Sequence, residues 1–299
     1  NQSYYLYDNG DNLIFNNYSW VKLEDISDNL INATLATEDK NFYKHFGLDY
    51  FRIIKAIYNN IKDGNLSEGA STITQQYARN LYLGYEKTWK RKIEEIILAL
   101  ELEVHYSKDE ILEGYLNTIN YGGVYGIENA SLYYFNKSAS LLSLEEASML
   151  AGIPQSPSNN SPLYNEERAL NRQKIVLSLM VKNKYISNED MNNVLNTNDY
   201  NLLGYVNSNT AKAHTKFEEP EKALKSYSSA VKNYTQGESP LKTAQNYAAA
   251  ADIMVEFNNI DKAHTLLLKA QKYARKTDNV NLMHQINTKI SQLEALDVK

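Results

Sequence analysis

Two carboxylates in polar motifs, Glu38 and Glu95, carry the chemistry legible in this chain. The first opens Glu38-Asp39-Lys40-Asn41-Phe42-Tyr43-Lys44-His45-Phe46-Gly47, and the second closes Arg91-Lys92-Ile93-Glu94-Glu95. Between them lies the polar octet Gly69-Ala70-Ser71-Thr72-Ile73-Thr74-Gln75-Gln76. One carboxylate to take a proton from a sugar hydroxyl, a second near the bond being broken, and cations for a departing phosphate are what glycosyl transfer from a phosphate-activated donor requires.

These groups need elements to hold them. Glu38 is expected at the end of a helix that begins near Asp25, with Phe42, His45 and Phe46 in the turn that follows. Taken alone, a Glu-Asp pair is a solvated helix end, and a lone histidine is more often structural than catalytic. Thr72-Ile73-Thr74-Gln75 fits a capping box at a helix start. Capping accounts for two of the octet's residues, and a helix N-terminus lined with hydroxyls and amides suits a pyrophosphate. Arg79 lies four residues beyond Gln75, on the same helical face, where a guanidinium could fork onto phosphate. Arg91 and Glu95 are also four apart, the spacing of a surface ion pair. The continuation Ile96-Ile97-Leu98-Ala99-Leu100-Glu101-Leu102-Glu103 is too apolar for a free helix, which predicts a central buried one with its charges at the mouth of a cleft.

The 299 residues suffice for two domains, each able to bury a core. A net charge of −5 shows no basic excess, so nucleic acid is not an expected partner. The chain has no cysteine, which excludes disulfides and thiolate metal sites. Its longest strongly apolar stretch, around 96–100, is far below the roughly 20 residues that span a bilayer. The segment from Tyr5 to Ile14 reads as a short hairpin turning at Asn9-Gly10. From Ile26 to about Tyr200 the pattern is helical, punctuated by Asp63-Gly64, Gly122-Gly123 and the prolines from Pro154 to Pro162. Phe46, Leu48, Tyr50, Phe51, Ile53, Ile54, Ile57, Tyr58 and Ile61 form a wide apolar face flanked by Arg52, Lys55 and Lys62, which suits either a core or interfacial insertion.

The character changes near residue 204. Residues 204–299 hold 13 basic and 10 acidic side chains, against 18 and 26 before them. A repeat appears with a period of 40: Glu221-Lys222-Ala223 returns as Asp261-Lys262-Ala263, Ala211 as Ala251, Phe217 as Phe257 and Ala230 as Ala270. The small residues have the offsets at which paired helices pack in tetratricopeptide repeats, with a last helix near Asn281 to Leu296. Such an array commonly binds a peptide or protein partner; a plain helical bundle is the alternative.

In order and spacing the motifs closely resemble the peptidoglycan glycosyltransferases of family 51, the modules of bifunctional penicillin-binding proteins and monofunctional transglycosylases. Tyr115-Leu116-Asn117-Thr118-Ile119-Asn120-Tyr121-Gly122 with Gly126 to Ala130 resembles a fourth block of the family, and Leu144 to Pro157 a fifth, so the likeness covers about residues 3–200. It implies a mainly α fold: a lysozyme-like glycosyltransferase domain over 1–203, with a mobile membrane-facing lobe at about 46–70, followed by α-helical hairpin repeats over 204–299. By resemblance Glu38 is the general base for the acceptor 4-hydroxyl, which needs a partly desolvated cleft, and Glu95 the carboxylate beside the pyrophosphate. Asp39 and His45 orient the loop, and Ser71, Thr72, Gln75, Gln76, Arg79 and Asn80 meet the donor. Arg91 and Lys92 counter the departing charge. Arg79 stands where many relatives have lysine. Glu103 is a weaker candidate, structural in role, and the fourth block is architectural.

The resemblance implies lipid II and the growing glycan as substrates, a membrane surface as neighbour, and the extracytoplasmic face of a bacterial membrane as location, with an anchoring helix expected upstream. A divalent ion, Mg2+ or Mn2+, is left open at the pyrophosphate. No Lys-Thr-Gly motif occurs, and no transpeptidase activity is expected. The alternatives are a catalytically silent lipid II-binding scaffold and a hydrolytic enzyme on the same fold.

Overall fold

The structure is a computed structural model describing residues 5–7, 13–16, 20–51, 54, 71–83, 88–196 and 199–297. It divides into two compact units: Asn1–Leu132 with Lys137–Val194, and Tyr133–Asn136 with Leu195–Lys299. The break expected near Gly204 therefore falls earlier, and Gly204 lies inside a helix. Glycine there reflects close packing, since a Cβ would stand 2.8 Å from the ring of Tyr234.

In the first unit, strands β1 (Tyr5–Tyr7) and β2 (Leu13–Asn16) pair antiparallel with a register shift between Leu6 and Tyr7. The turn expected at Asn9-Gly10 lies outside the described residues. Helices follow as α1 (Asp28–Glu38), α2 (Ile73–Tyr82), α3 (Trp89–His105), α4 (Lys108–Thr118), α5 (Ile127–Phe135), α6 (Leu144–Gly152), α7 (Pro157–Asn160), α8 (Glu166–Lys182) and α9 (Asn188–Leu195). Several starts are written locally. Thr72, Ser107 and Ser143 each close a capping box with Gln75, Glu110 and Glu146, which satisfies orphan N–H groups at the first turn.

Burial then orders the helices. Leu30, Ala33, Leu35 and Ala36 sink one face of α1 against α6 and α8, while Ile111, Leu112, Tyr115 and Leu116 do the same for α4 against α2. Each fully buried Leu or Ile contributes about 1.5–3 kcal/mol. Asn117 stitches the preceding segment to α4: its Nδ2 donates to the carbonyls of Val21 and Glu113, and its Oδ1 accepts from the Val21 N–H at 3.0 Å.

The expectation of a central buried helix over α3 is corrected. Glu95, Ala99 and Leu102 are its buried residues, one stripe at helical spacing, while Trp89, Ile93, Ile97 and Val104 are exposed. The apolar run was wide enough to cover two faces, and one meets the unit's core. The wide face after Gly47 is likewise only partly in view: Leu48 is buried and Phe46, Tyr50, Phe51 and Ile54 are exposed. Ile53, Ile57, Tyr58, Ile61 and most of the lobe at 46–70 lie outside the described residues.

In the second unit α10 (Asp199–Lys216), α11 (Pro220–Gln236), α12 (Pro240–Glu256), α13 (Ile260–Ala274) and α14 (Val280–Asp297) each pack on the next. Ala211, Ala223, Ala230, Ala251, Ala263 and Ala270 are all buried, the small side chains that let neighbouring helices approach. Three of the connecting turns share one device. Glu218, Glu238 and Asn258 take left-handed φ values, and the next residue's N–H returns to the carbonyl of His214, Tyr234 and Met254 at 2.9 Å. No described helix is long and apolar enough to cross a membrane.

Candidate active site

Glu38 ends α1, half-buried, and Asp39 is the residue that caps it. Asp39 is 1 % exposed, and its Oδ2 accepts from the His45 ring at 2.9 Å and from the Ile73 N–H at 3.1 Å. A carboxylate so placed ties the end of α1, the turn carrying His45 and the first residue of α2 to one point. Thr72 adds a second tie, its hydroxyl donating to the Gly47 carbonyl at 2.6 Å. Gly47 has φ +74° and a Cβ would meet the Ala99 carbonyl at 3.3 Å, so glycine is required there both for its backbone and for the approach to α3. Asp39 and His45 thus meet at the junction of α1 and α2.

The octet does not present all its polar groups alike. Thr72 and Gln75 are buried, and the Thr72 hydroxyl and Gln75 Oε1 are engaged in capping α2. Thr74 donates to Glu103 Oε1 at 2.6 Å, and Lys108 to the same oxygen at 2.7 Å, which makes Glu103 a buried strut between α2, α3 and α4. Gln76 is turned to Glu38: its Nε2 donates to Oε2 at 2.8 Å. Ser71 lies ahead of the helix and accepts from Lys92 at 3.0 Å. Arg79 and Asn80 follow on α2, both partly exposed, and Arg79 has a buried Nε with no partner.

Glu95 is held by cations. It is 1 % exposed; Arg91 donates to its Oε2 at 3.1 Å, and Lys92 pairs with its Oε1. Lys92 therefore joins α3 to the start of the octet, and both cations keep solvent access, 16 % for the Arg91 side chain and 35 % for Lys92. The surface ion pair suggested by the spacing exists, but its carboxylate is buried, where loss of either partner matters more. Two cations on one carboxylate carry a net positive charge toward solvent, a fit for a phosphate. A resident divalent ion fits less well: both oxygens of Glu95 are already paired, and no cluster of three metal-ligating side chains exists among the described residues.

Three groups act on Glu38 in a way the sequence reading does not assign, Tyr115 and Tyr121 lying in the block it reads as architectural. Tyr115 and Tyr121 are fully buried, and burial first, then the charge of Glu38, pushes the ionisation of both phenols well up. Arg172 on α8 feels Glu38 as well; burial pulls its guanidinium below the usual value and the carboxylate opposes that pull. A tyrosine at the centre of the otherwise apolar α4 face was the available signal, because a buried hydroxyl needs a partner.

The transglycosylase family profile matches residues 12–181. Penicillin-binding protein 2D of Bacillus subtilis (strain 168) is 54 % identical over 169 residues, 56 % of this chain and 24 % of the relative. Penicillin-binding protein 1A of Aquifex aeolicus (strain VF5) is 44 % identical over 178 residues, 59 % of this chain and 24 % of the relative. A crystal structure of penicillin-binding protein 1A from Haemophilus influenzae aligns over 66 % of this chain and 20 % of that one, at 27 % identity and a TM-score of 0.35. The chain thus spans about a quarter of the length of these curated relatives. With more than half its residues inside the family profile, and both of its motif carboxylates within that span, this chain belongs to the transglycosylase family.

Proposed function

We propose that the chain polymerises lipid II into glycan strands by inverting glycosyl transfer at the extracytoplasmic face of a bacterial membrane. The observation that carries this is the cation pair on the second carboxylate: buried Glu95 is locked between Arg91 and Lys92, both of which keep solvent access, while half-buried Glu38 at the end of α1 accepts a hydrogen bond from the Gln76 amide. A carboxylate locked by cations serves as a scaffold for positive charge, and one that keeps solvent access can be reached by a hydroxyl proton. Glu38 takes the proton of the acceptor 4-hydroxyl as that oxygen bonds to C1 of the lipid-linked donor. The bond from C1 to the pyrophosphate oxygen breaks, and its electron pair leaves with the polyprenyl pyrophosphate. A single displacement inverts the anomeric centre. Arg91, Lys92 and Arg79 face the charge that develops, mainly electrostatic work. No step is assigned to a divalent ion.

A lipid-linked substrate agrees with the exposed Phe46, Tyr50, Phe51 and Ile54 and with the exposed stripe of Trp89, Ile93 and Ile97 on α3, a surface suited to the membrane interface. The alanine-packed helices of the second unit carry a peptide or protein partner in this reading.

The test is incubation with fluorescent lipid II in detergent, with and without Mg2+, and gel separation of the products. Polymer from the native chain, and none from Glu38→Gln or Glu95→Gln proteins that still fold, is the expected result. Near-normal polymer from either variant refutes the role assigned to that residue.

A further inference from the structure

Gln76 stands between Glu38 and Tyr115. Its Nε2 donates to Glu38 Oε2 at 2.8 Å, and its Oε1 accepts from the Tyr115 hydroxyl at 3.3 Å. Gln76 is 9 % exposed and Tyr115 is fully buried, so water is no substitute for the bond between them. The polarity of this relay follows from chemistry. An ionised carboxylate can only accept, so it draws the amide nitrogen; the amide oxygen must then face the phenol, which has to donate. Tyr115 stays a donor because burial and the nearby charge of Glu38 both oppose its ionisation. Without that hydroxyl the amide is free to turn, and its oxygen would then oppose the carboxylate.

We propose that Tyr115 is a positioning residue for the base, fixing the Gln76 amide so that its nitrogen faces Glu38 and holds that carboxylate charged and aimed. The proposal rests on the reading of Glu38 as the base and goes beyond it by assigning a role to a side chain that touches no substrate. Tyr121 and Arg172 face the same carboxylate from other parts of the unit, while Asp39 and Arg79 act on Tyr115 itself. All four are left in place by the substitutions below.

The experiment measures lipid II polymerisation against pH for Tyr115→Phe, Gln76→Met and the double variant. Loss of one neutral hydrogen bond predicts a fall in kcat of about two- to tenfold for Tyr115→Phe, with KM nearly unchanged. The acid limb of the rate profile should move to higher pH, because the charged form of the base loses support. Gln76→Met should lose more, and adding Tyr115→Phe to it should change nothing further, since Tyr115 acts only through the amide. Losses that add in the double variant, or a Tyr115→Phe profile that overlays the native one, overturn the proposal. Should Tyr115→Phe fail to fold, 3-fluorotyrosine placed at 115 keeps the ring and strengthens the donor. The acid limb must then move to lower pH, and an unmoved limb refutes the relay. If the native chain makes no polymer, the proposed function fails by itself. The relay is then judged by carbon NMR of the Glu38 carboxyl, whose titration curve must move to higher pH in Tyr115→Phe; an unchanged curve overturns it.

Discussion

Asp39 is a buried carboxylate that joins the turn carrying His45 to the start of α2, and truncating it should cost stability in a way that separates its hydrogen bonds from its charge. In Asp39→Ala, the Ile73 backbone N–H and the His45 ring lose an acceptor they reach at 3.1 and 2.9 Å, and Ile73 is buried and the His45 side chain nearly so. Leaving a buried donor unpaired costs about 1–3 kcal/mol each. Relief from burying a carboxylate offsets part of that, for a net loss of roughly 2–4 kcal/mol. Asp39→Asn keeps an oxygen where Oδ2 stands, forfeits the charge assistance and sets an amide NH2 where the buried Oδ1 has no partner, a smaller loss of about 1–2 kcal/mol. Urea unfolding followed by tryptophan fluorescence reads this directly, because Trp20 and Trp89 are the chain's two tryptophans and both lie in the first unit. A midpoint that falls for Ala and less for Asn, at constant slope, is expected. Equal losses in the two variants, or no loss in Asp39→Ala, would refute the tie between α1, His45 and α2.

Two further predictions concern the turns and the caps. Glu218 holds a left-handed φ of 58° at the end of α10, a conformation that costs a non-glycine residue about 1–2 kcal/mol. Glycine loses part of that gain through its freer unfolded state, so Glu218→Gly should stabilise the second unit by roughly 0.5–1 kcal/mol, seen as a higher unfolding temperature; a lower one contradicts the turn geometry. Glu110 is held below its ordinary 4.5 by hydrogen bonds from Ser107, backbone first and side chain second. Its folded value is the lower one, so its contribution is complete above about 4.5 and is lost as pH falls through that lower value. Ser107→Ala should therefore flatten the acid dependence of stability in this window, and an unchanged slope between native and variant chains counts against the capping box.

The parts legible in the sequence are those whose partners sit within a turn. Thr72 with Gln75 and Ser107 with Glu110 are three residues apart, so the starts of α2 and α4 follow from local hydrogen bonding alone, and Arg91 with Glu95 follows from one helical turn. The alanines recurring at a period of 40 likewise foretold helices packed through small side chains. The length of the apolar run in α3 misled, because hydrophobicity records that a face avoids water and not what covers it. Gln76 with Glu38 and with Tyr115 are contacts across 38 and 39 residues, and Lys92 with Ser71 spans 21. The sequence by itself determined which helices start where and which residue types could move a proton or hold a phosphate. Only the packing of α1, α2, α3 and α4 decided that Gln76 meets Glu38 and Tyr115 and that Lys92 reaches Ser71, because a hydrogen bond between distant residues exists only when tertiary packing brings their atoms into reach and removes competing water.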